Sequence, residues 1–373
     1  MTSLSRVIGH IDLDYFYAQV EEVSDPSLKE RPVIVCVFSG RTEDSGAVAT
    51  SNYKARELGV RSGMPIVLAK KKLEGHDPAV IRMEHTKYEA VSERIMSDLE
   101  QMVDVLEPTG IDEAFFDLTT SSGGDYAKAS RTAESIKESI YRSEHLTSSV
   151  GLGRSKVVAK LGSDAVKPAG LTVILPESTS AFLEPLPVNK LYGVGPKTTS
   201  VLDQMGIKTV RQLAEADGAE LERHFGRKFG AYLAAAATGT DADPVIAGLE
   251  PTQFSRIITL KRDTRDPTEA VDQLSKGIEF LHEKLASSTK SCRTVSAIAI
   301  LTDLSARTKS RTFESPINDL ATIRGAALAL FEELGRTADK DFRRVGIRVS
   351  ALTGVEDQTS LSEYLRPGGS QNG

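Results

Sequence analysis

Four carboxylates in two clusters are the residues with the clearest capacity for chemistry. Asp12 and Asp14 end an apolar run, and Asp112 and Glu113 follow a Pro-Thr-Gly turn. Because side chains alternate along a strand, Asp12 and Asp14 are predicted to share one face. Adjacent residues in a regular strand diverge, so Asp112 and Glu113 can converge only where a turn or a bulge reorients them. Gly110, within the turn, makes that reorientation plausible.

Carboxylates from two strands, with little His or Cys nearby, favour a hard cation such as Mg²⁺. Two such ions about 4 Å apart can activate an attacking oxygen and stabilise a leaving oxygen in phosphoryl transfer. The residues alone leave open the alternative that these are solvent-facing charges at strand ends.

A second group of polar and aromatic residues suits a phosphate-bearing ligand. In the run TSNYKAR, Tyr53 and Arg56 are three residues apart and share a helical face. A guanidinium fork with nearby hydroxyls matches triphosphate oxygens, although a capped surface helix is the alternative. The aromatic run of Tyr15, Phe16 and Tyr17 could equally be a set of core residues that anchors a helix.

The elements that would position these residues follow from hydrophobic periodicity. Strands are predicted over residues 6–14, 31–38 and 148–153, helices over 15–23, 85–103 and 131–142, and two strands around the turn within 103–118. This order predicts an α+β sheet domain with an early insertion.

The second half of the chain changes pattern. Residues 175–238 are wholly helical in pattern, with turn signals at glycines, and residues 239–248 have the Gly, Asp and Pro content of a linker. The order strand, helix, strand, strand, helix, strand then predicts a compact β-α-β-β-α-β domain over residues 249–352. A flexible tail is expected over residues 353–373.

Composition sets broad limits on function. A chain of 373 residues with 40% hydrophobic and 26% charged residues predicts several folded domains, and the net charge of −6 argues against coating nucleic acid by bulk charge. No signal core or membrane span is evident, which predicts a cytoplasmic protein. Cys36 and Cys292 are too few for a disulfide framework or a zinc site.

Positive charge is concentrated locally. Residues 249–352 contain 17 Lys and Arg against 14 Asp and Glu, a net charge of +3 that leaves −9 for the remainder. Alternation places Arg307, Lys309 and Arg311 on one face of their strand, and likewise Arg344 and Arg348 on another strand. These cations are either a solvated sheet face or a surface that follows a nucleic-acid backbone with steep salt dependence.

Four runs together resemble the motifs of Y-family DNA polymerases, in particular the DNA polymerase IV branch and its archaeal members. They are DLDYFYAQVEE, VCVFSGRTEDSGAVATSNYKAR, GIDEAFFDL and AKLGSDAVKPAG. The resemblance implies an α+β multidomain, right-hand polymerase. Its parts would be a palm (1–15 and 83–174), fingers (16–82), a helical thumb (175–238), a little finger (249–352) and the tail.

The resemblance also implies roles for individual residues. Metal ligands for two Mg²⁺ ions would be Asp12, Asp112 and Glu113, with the main-chain carbonyl of Leu13, whereas Asp14 receives no ligand role. Tyr17 would be the steric gate, a ring beneath the sugar that excludes a 2′-hydroxyl. The β- and γ-phosphates of the dNTP would be held by Thr50, Tyr53, Arg56 and Lys167.

Contacts to DNA and to a clamp are implied more loosely. The hairpin LYGVGPKTTS matches a helix-hairpin-helix, in which Gly193, Gly195 and Lys197 bind a phosphate without reading sequence. The tail residues Gln358, Leu361, Tyr364 and Leu365 resemble a peptide that docks on a sliding clamp. Primer-template DNA, dNTPs and a clamp are therefore the expected partners of a monomeric enzyme.

The resulting hypothesis is low-fidelity translesion DNA synthesis without proofreading. The small residues of SGAVATS imply a roomy nucleotide pocket. Two alternatives stay open, a palm-domain nucleotide cyclase and a DNA-binding scaffold without catalysis. Two positions depart from the family pattern, Gly110 where Ser is common and Ser155 where Asn is common.

Overall fold

The protein is described by a computed structural model over residues 4–248 and 250–354, apart from the side chains of residues 267–269. Two compact units are present. The first contains residues 4–37 and 47–248, and the second contains residues 38–46 and 250–354. Each is described by itself. None of the helices in these residues combines the length and the apolar character that crossing a bilayer requires.

Twelve strands, numbered in chain order, lie in the part of the chain that the structure describes. They are β1 (Ile8–Leu13), β2 (Val33–Phe38), β3 (Gly46–Ser51), β4 (Ala79–Arg82), β5 (Val105–Pro108), β6 (Glu113–Asp117), β7 (Ser148–Gly153), β8 (Leu171–Val173), β9 (Gln253–Thr264), β10 (Lys290–Leu301), β11 (Ala306–Ile317) and β12 (Phe342–Gly354).

Fourteen α-helices lie between them in the described residues. They are α1 (Phe16–Ser24), α2 (Tyr53–Glu57), α3 (Ile66–Lys72), α4 (His85–Glu100), α5 (Thr119–Ser122), α6 (Tyr126–Glu144), α7 (Lys156–Ala165), α8 (Thr179–Leu183), α9 (Pro196–Gln204), α10 (Val210–Ala214), α11 (Gly218–Phe225), α12 (Arg227–Thr238), α13 (Pro267–Ser287) and α14 (Leu320–Thr337).

The central sheet of the first unit has the strand order β5-β6-β1-β7-β8. Strand β1 is covered by packed side chains on both of its faces. Ile11 and Leu13 pack in the core that includes residues of α4 and α6, whereas Ile8 packs with Ala159 of α7 on the other side. Asp12 therefore stands at the end of a central, doubly buried strand, which fixes its backbone position.

Helix α7 lies unusually close to this sheet. A Cβ atom on Gly151 of β7 would come within 2.1 Å of the carbonyl oxygen of Ala159. Only glycine at residue 151 allows this approach. The close packing sets the height of α7, and of the loop that follows it, above the sheet.

A smaller sheet with the order β3-β2-β4 accompanies the central one. The predicted strand over residues 31–38 is confirmed as β2, while β3 and β4 were not predicted. The residues of β3 are mostly small and suggest a loop. They form a strand because the buried main chain of β2 needs hydrogen-bond partners on both of its edges.

The predicted helical region is confirmed by α8 to α12, which share a core with residues of α7. The following residues, 239–248, have neither helix nor strand, but they are attached to the sheet. Val245 is buried against Ile8, the main-chain N–H of Ile246 donates to Glu107, and the Arg6 guanidinium donates to the Asp241 carbonyl. Their composition alone predicted only a linker.

The second unit confirms the predicted β-α-β-β-α-β order. Its antiparallel sheet has the order β11-β10-β12-β9, and α13 and α14 cover one face. Val345 and Ile347 of β12 and Phe331 of α14 lie in the core between the sheet and the helices. The opposite face of the sheet is therefore left open within this unit.

Candidate active site

The two carboxylate clusters meet across neighbouring strands. Asp12 of β1 is paired directly with Glu113 of β6, and the Leu13 N–H donates to the Asp112 carbonyl at 2.8 Å. The Gly110 N–H donates to the Glu113 carbonyl, which closes the turn before β6. Asp112 belongs to this turn and not to the strand. Asp112 therefore lies in the turn and Glu113 in the strand, so these adjacent carboxylates are not consecutive residues of one regular strand.

A cavity of about 370 Å³ lies beside these residues. It is lined by eight residues assigned from sequence, Asp12, Leu13, Tyr17, Thr50, Tyr53, Arg56, Asp112 and Lys167, and by Tyr15, Phe16, Ala49 and Ser62. The Leu13 side chain is buried in the core, so its main chain faces the cavity. Residues from distant parts of the chain therefore surround one small volume.

Two lysines pair with the carboxylates in this structure. The ammonium of Lys167 lies 2.8 Å from Asp12 Oδ1, and that of Lys160 lies 2.6 Å from Glu113 Oε2. Over the described residues, no three His, Cys, Asp or Glu side chains are arranged to hold a metal ion as they stand. The carboxylates must turn away from the lysines before they can share an ion. Their chemistry nevertheless suits a hard divalent cation.

Burial and charge separate the acidities of these groups. Burial raises the pKa of Asp12 to about 6, although Lys167 opposes that change. Burial, followed by the Glu113 charge, also raises the pKa of Asp112. The His10 ring, 3.6 Å away, and the Lys160 ammonium lower the pKa of Glu113 to about 2. Glu113 is therefore ionised throughout the neutral range.

His10 is a buried member of the site that the sequence interpretation missed. Its Nδ1 lies 2.8 Å from the Ser163 hydroxyl, which itself donates to the Lys160 carbonyl. Its Nε2 lies 3.4 Å from the Lys160 ammonium and 3.6 Å from Glu113 Oε2. Burial lowers the pKa of His10. The available signal was spacing, since His10 and Asp12 share a strand face.

Asp12→Asn is expected to stabilise the fold at pH 7.5 by about 3 kcal/mol, because burial raises the pKa of the wild-type carboxyl to about 6. The unfolded chain releases this proton near pH 4 and the folded chain near pH 6. Wild-type stability is therefore lost as pH rises through that window. Urea unfolding from pH 3.5 to 7.5 should show the difference between variant and wild type disappear below about pH 4.

Glu113→Gln provides the matched control, since it replaces the directly opposite carboxylate. The pKa of Glu113 is lowered, so its stabilising contribution is present at neutral pH and is lost as pH falls. The two variants should change stability in opposite directions at pH 7.5. An Asp12→Asn variant less stable than wild type at that pH would contradict the interpretation.

Tyr17 is held by a second ring that was not predicted. Its ring stacks on Tyr88 of α4 with centroids 4.5 Å apart and 28° between the planes. Tyr88 is fully buried, and its hydroxyl donates to Glu21 at 2.7 Å. The ring of Tyr17 at the cavity is therefore fixed by stacking, while Phe16 is buried in the core, as the sequence analysis allowed.

Helix α2 carries two of the four predicted phosphate-binding residues, Tyr53 and Arg56. Asn52 caps the helix by accepting the Ala55 N–H at 3.0 Å. The Arg56 guanidinium lies 5.1 Å from the centre of the Tyr53 ring. The Tyr53 hydroxyl is buried and has no hydrogen-bond partner among the described residues. A buried hydroxyl without an acceptor beside a guanidinium suits a ligand rich in anionic oxygens.

The predicted hairpin precedes α9. Gly193 has φ 81°, a left-handed conformation that glycine adopts without strain, and Gly195 is the N-cap residue of α9. Lys197 lies in the first turn of this helix. The Tyr232 hydroxyl donates to the Tyr192 carbonyl at 2.6 Å and so braces the hairpin. The first α9 N–H groups and a lysine are thereby placed together.

The cations of the second unit lie on two faces of its sheet. Directly paired residues project to the same side, and the partners of Arg307, Lys309 and Arg311 are buried beneath the helices. Consistently, Lys309 pairs with Glu333 of α14 at 2.9 Å.

Arg344 and Arg348 project to the other side. They pair with Ile300 and Ser296 of β10, on the face that the helices leave open. Each predicted set does share a face of its own strand. The two sets lie on opposite faces of the sheet, because strand periodicity does not relate one strand to another.

The two departures from the family pattern have local explanations. A Cβ atom on Gly110 would lie 3.2 Å from Glu113 Cγ and 3.4 Å from Asp112 Oδ1, so glycine leaves space beside both carboxylates. Ser155 caps α7 by accepting the Val158 N–H at 3.4 Å. Ser and Asn are both good N-cap residues, so the exchange keeps the start of the helix.

Comparisons with known proteins agree with this geometry. The model of the impB/mucB/samB family matches residues 11–164, its C-terminal domain matches 251–362, and a thumb domain described as that of DNA polymerase-iota matches 189–241. DNA polymerase IV of Methanosarcina acetivorans is 41% identical over 97% of this chain and its own full length. The chain belongs to the Y family of DNA polymerases.

Solved structures support the same family. A Y-family polymerase chimera of Dbh and Dpo4 aligns with a TM-score of 0.88 at 34% identity, covering 93% of this chain and 99% of the chimera. An insertion ternary complex of Dbh DNA polymerase aligns at 0.67, with the same identity and coverage. The polymerase therefore has the predicted right-hand, α+β multidomain fold and is a DNA-directed, translesion-type enzyme.

Members of this family generally require divalent metal ions, and the polymerase acts on DNA and nucleotides. The comparisons give no support to the cyclase or the scaffold. The predicted clamp-binding residues lie outside the residues that the structure describes.

Proposed function

We propose that the polymerase binds two Mg²⁺ ions through Asp12, Asp112, Glu113 and the Leu13 carbonyl. The observations that carry this proposal are the direct pairing of Asp12 with Glu113 and the presence of Asp12 and Asp112 in the lining of one cavity. Such ions, when bound, assist the attack of the primer 3′-hydroxyl on the α-phosphate and the departure of pyrophosphate. To hold these ions, Asp12 would have to release Lys167, and Glu113 would have to release Lys160.

The triphosphate is held by the cationic and hydroxyl groups of the same cavity. Lys167, once released from Asp12, is free to contact phosphate oxygens, and Thr50 contributes a hydroxyl. The unpartnered Tyr53 hydroxyl and the adjacent Arg56 guanidinium support this assignment. These groups orient the nucleotide and compensate its charge without reacting themselves.

Sugar selection and low fidelity follow from the walls of the cavity. Tyr17, stacked on Tyr88, acts as the steric gate against ribonucleotides. Ala49 offers only a methyl group to the cavity, which favours weak discrimination between bases. We propose that the enzyme inserts nucleotides opposite damaged bases because few side chains enforce the shape of the base pair.

DNA is bound through phosphate contacts at two surfaces. The hairpin around Gly193, Gly195 and Lys197 supplies N–H groups at a helix N-terminus and one positive charge. Arg344 and Arg348, on the open face of the second sheet, supply further cations. Arg307, Lys309 and Arg311 contribute less because they project toward the helices.

Replacing Arg344 and Arg348 together by Ala should weaken binding of primed DNA and reduce the slope of log affinity against log salt by about 2, one for each lost phosphate contact. Fluorescence anisotropy at several salt concentrations measures this slope. Replacing Arg307 and Arg311 by Ala removes the same charge and is the matched control. We expect it to reduce the slope by less than half as much. If the two double variants have equal slopes, the open face is not the main DNA-binding surface.

The tail residues Gln358, Leu361, Tyr364 and Leu365 are proposed to dock on a sliding clamp. The polymerase itself is proposed to act as a monomer in the cytoplasm. The clamp assignment rests on the sequence pattern of these four residues.

Primer extension on undamaged and abasic templates tests the proposed function. We expect extension past the abasic site that rises with Mg²⁺, depends on more than one ion per active site and stops when EDTA is added. Single-turnover rates over a Mg²⁺ titration give the ion dependence. Extension without any divalent ion would refute the metal assignment, and a complete stop at the abasic site would refute lesion bypass.

A further inference from the structure

Asp14 is a buried carboxylate that the chemistry above does not use. It is 1% exposed, and both of its oxygens are occupied. Oδ1 accepts from the Ser149 hydroxyl at 2.7 Å, and Oδ2 accepts from the Thr147 hydroxyl and from the Ala169 N–H, each at 2.8 Å. These bonds explain why Asp14 is no metal ligand, although it follows Asp12 so closely.

The bond to Ala169 connects Asp14 to the loop that carries Lys167. Ala169 follows Lys167 by two residues and has φ 57°, a left-handed conformation that disfavours a residue with a Cβ atom. Its carbonyl accepts from the Lys137 ammonium at 2.6 Å. Both the N–H and the carbonyl of Ala169 are therefore anchored, which maintains an otherwise unfavourable backbone conformation.

The backbone of Asp14 is anchored as firmly as its side chain. Its N–H donates to the Thr147 carbonyl at 3.1 Å, and its carbonyl accepts from the Gln19 side chain at 2.7 Å. Asp14 thus connects the end of β1, the start of β7 and the Lys167 loop. A rotation of this loop would move the Lys167 ammonium away from the cavity.

We propose that Asp14 is a positioning residue for nucleotide binding, acting through the Ala169 N–H to hold Lys167 at the triphosphate. The inference rests on the proposed role of Lys167 as a phosphate contact. Asp14 touches neither substrate nor metal, so its effect is on nucleotide affinity more than on the maximal rate. If the carboxylate had only a structural role, its substitution would lower stability without affecting nucleotide affinity more than the maximal rate.

Single-turnover extension at varied dNTP concentration separates these effects, since it yields an apparent dissociation constant and a maximal rate. Asp14→Ala should raise the dissociation constant about tenfold, as expected for a lost buried hydrogen bond, with a smaller change in rate. Asp14→Asn should give a dissociation constant between those of wild type and Asp14→Ala. Its amide oxygen can still accept from the Ala169 N–H, while its NH₂ group donates to the Ser149 hydroxyl. Ser149→Ala, which leaves the Ala169 bond intact, should remain near wild type.

A double-mutant cycle with Lys167→Ala decides whether Asp14 acts through Lys167. Lys167→Ala alone should raise the dissociation constant, and adding Asp14→Ala should then change it little. If Lys167→Ala has no effect on the dissociation constant, the proposed phosphate contact fails. If it does have an effect but Asp14→Ala still raises the constant tenfold in that background, only the positioning role fails.

Lys137→Met keeps the test decisive if Asp14→Ala does not fold. This substitution removes the hydrogen bond from the Lys137 ammonium to the Ala169 carbonyl, on the surface side of the loop, and leaves Asp14 in place. It should raise the dissociation constant severalfold in the presence of Lys167 and have no effect in its absence. A lowered maximal rate with unchanged nucleotide affinity, in this variant or in Asp14→Asn, would overturn the inference.

Discussion

Asp112→Asn is expected to lower the single-turnover rate of nucleotide insertion by at least about a thousandfold, since several kcal/mol of transition-state stabilisation depend on the metal site. Asp112 lies in the turn between β5 and β6 and lines the cavity with Asp12. Asparagine preserves its shape but removes the charge that a divalent ion requires. Rapid mixing with saturating Mg²⁺ and dNTP measures the rate, and anisotropy measures DNA binding, which should change little.

Asp117→Asn is the matched control for this experiment. It makes the same chemical change on β6, but the Asp117 side chain accepts the Thr119 N–H and does not line the cavity. Near wild-type insertion is expected. If Asp112→Asn keeps its rate within tenfold of wild type while binding DNA normally, the carboxylate assignment is wrong.

Tyr17→Ala is expected to reduce discrimination against ribonucleotides by about a hundredfold or more, because a 2′-hydroxyl then meets open space in place of a ring. The ring of Tyr17 is half-buried at the cavity and stacked on Tyr88. The ratio of kcat/KM for dCTP and CTP opposite template G measures the effect. Incorporation of dCTP should decline much less than the ratio changes.

Tyr88→Leu tests whether stacking matters as well as the ring itself. Leucine keeps much of the apolar volume but removes the stacking partner and the hydroxyl bonded to Glu21. We expect its discrimination against ribonucleotides to lie between those of wild type and Tyr17→Ala. Tyr141→Ala, on the exposed surface of α6, should leave this discrimination unchanged. Equal sugar discrimination in Tyr17→Ala and wild type would refute the gate.

Local patterns were enough to predict most of the framework of this protein. The apolar run of β1, the Pro-Thr-Gly turn and the β-α-β-β-α-β order depend on periodicity and turn chemistry, which act over a few residues. The motifs also placed Asp12, Asp112 and Glu113 in one site before their geometry was known. In the structure Asp12 is paired directly with Glu113, and Asp12 and Asp112 line the same cavity.

The missed residues are those whose roles depend on distant contacts. Tyr88 lies about seventy positions after Tyr17, and Lys160 lies 47 positions after Glu113. Asp14 reaches Ala169 across 155 positions. No local pattern distinguishes such residues from other helix or strand positions, because only chain folding brings their partners near.

The sequence by itself determined which residue types occupy each strand face, where turns reverse the chain and which family the motifs resemble. Tertiary structure alone decided which lysine pairs with which carboxylate and why Asp14 differs from Asp12. It also decided that Arg344 and Arg348 face away from Arg307 and Arg311. Alternation relates residues within one strand, but strand register and helix packing determine which face is covered.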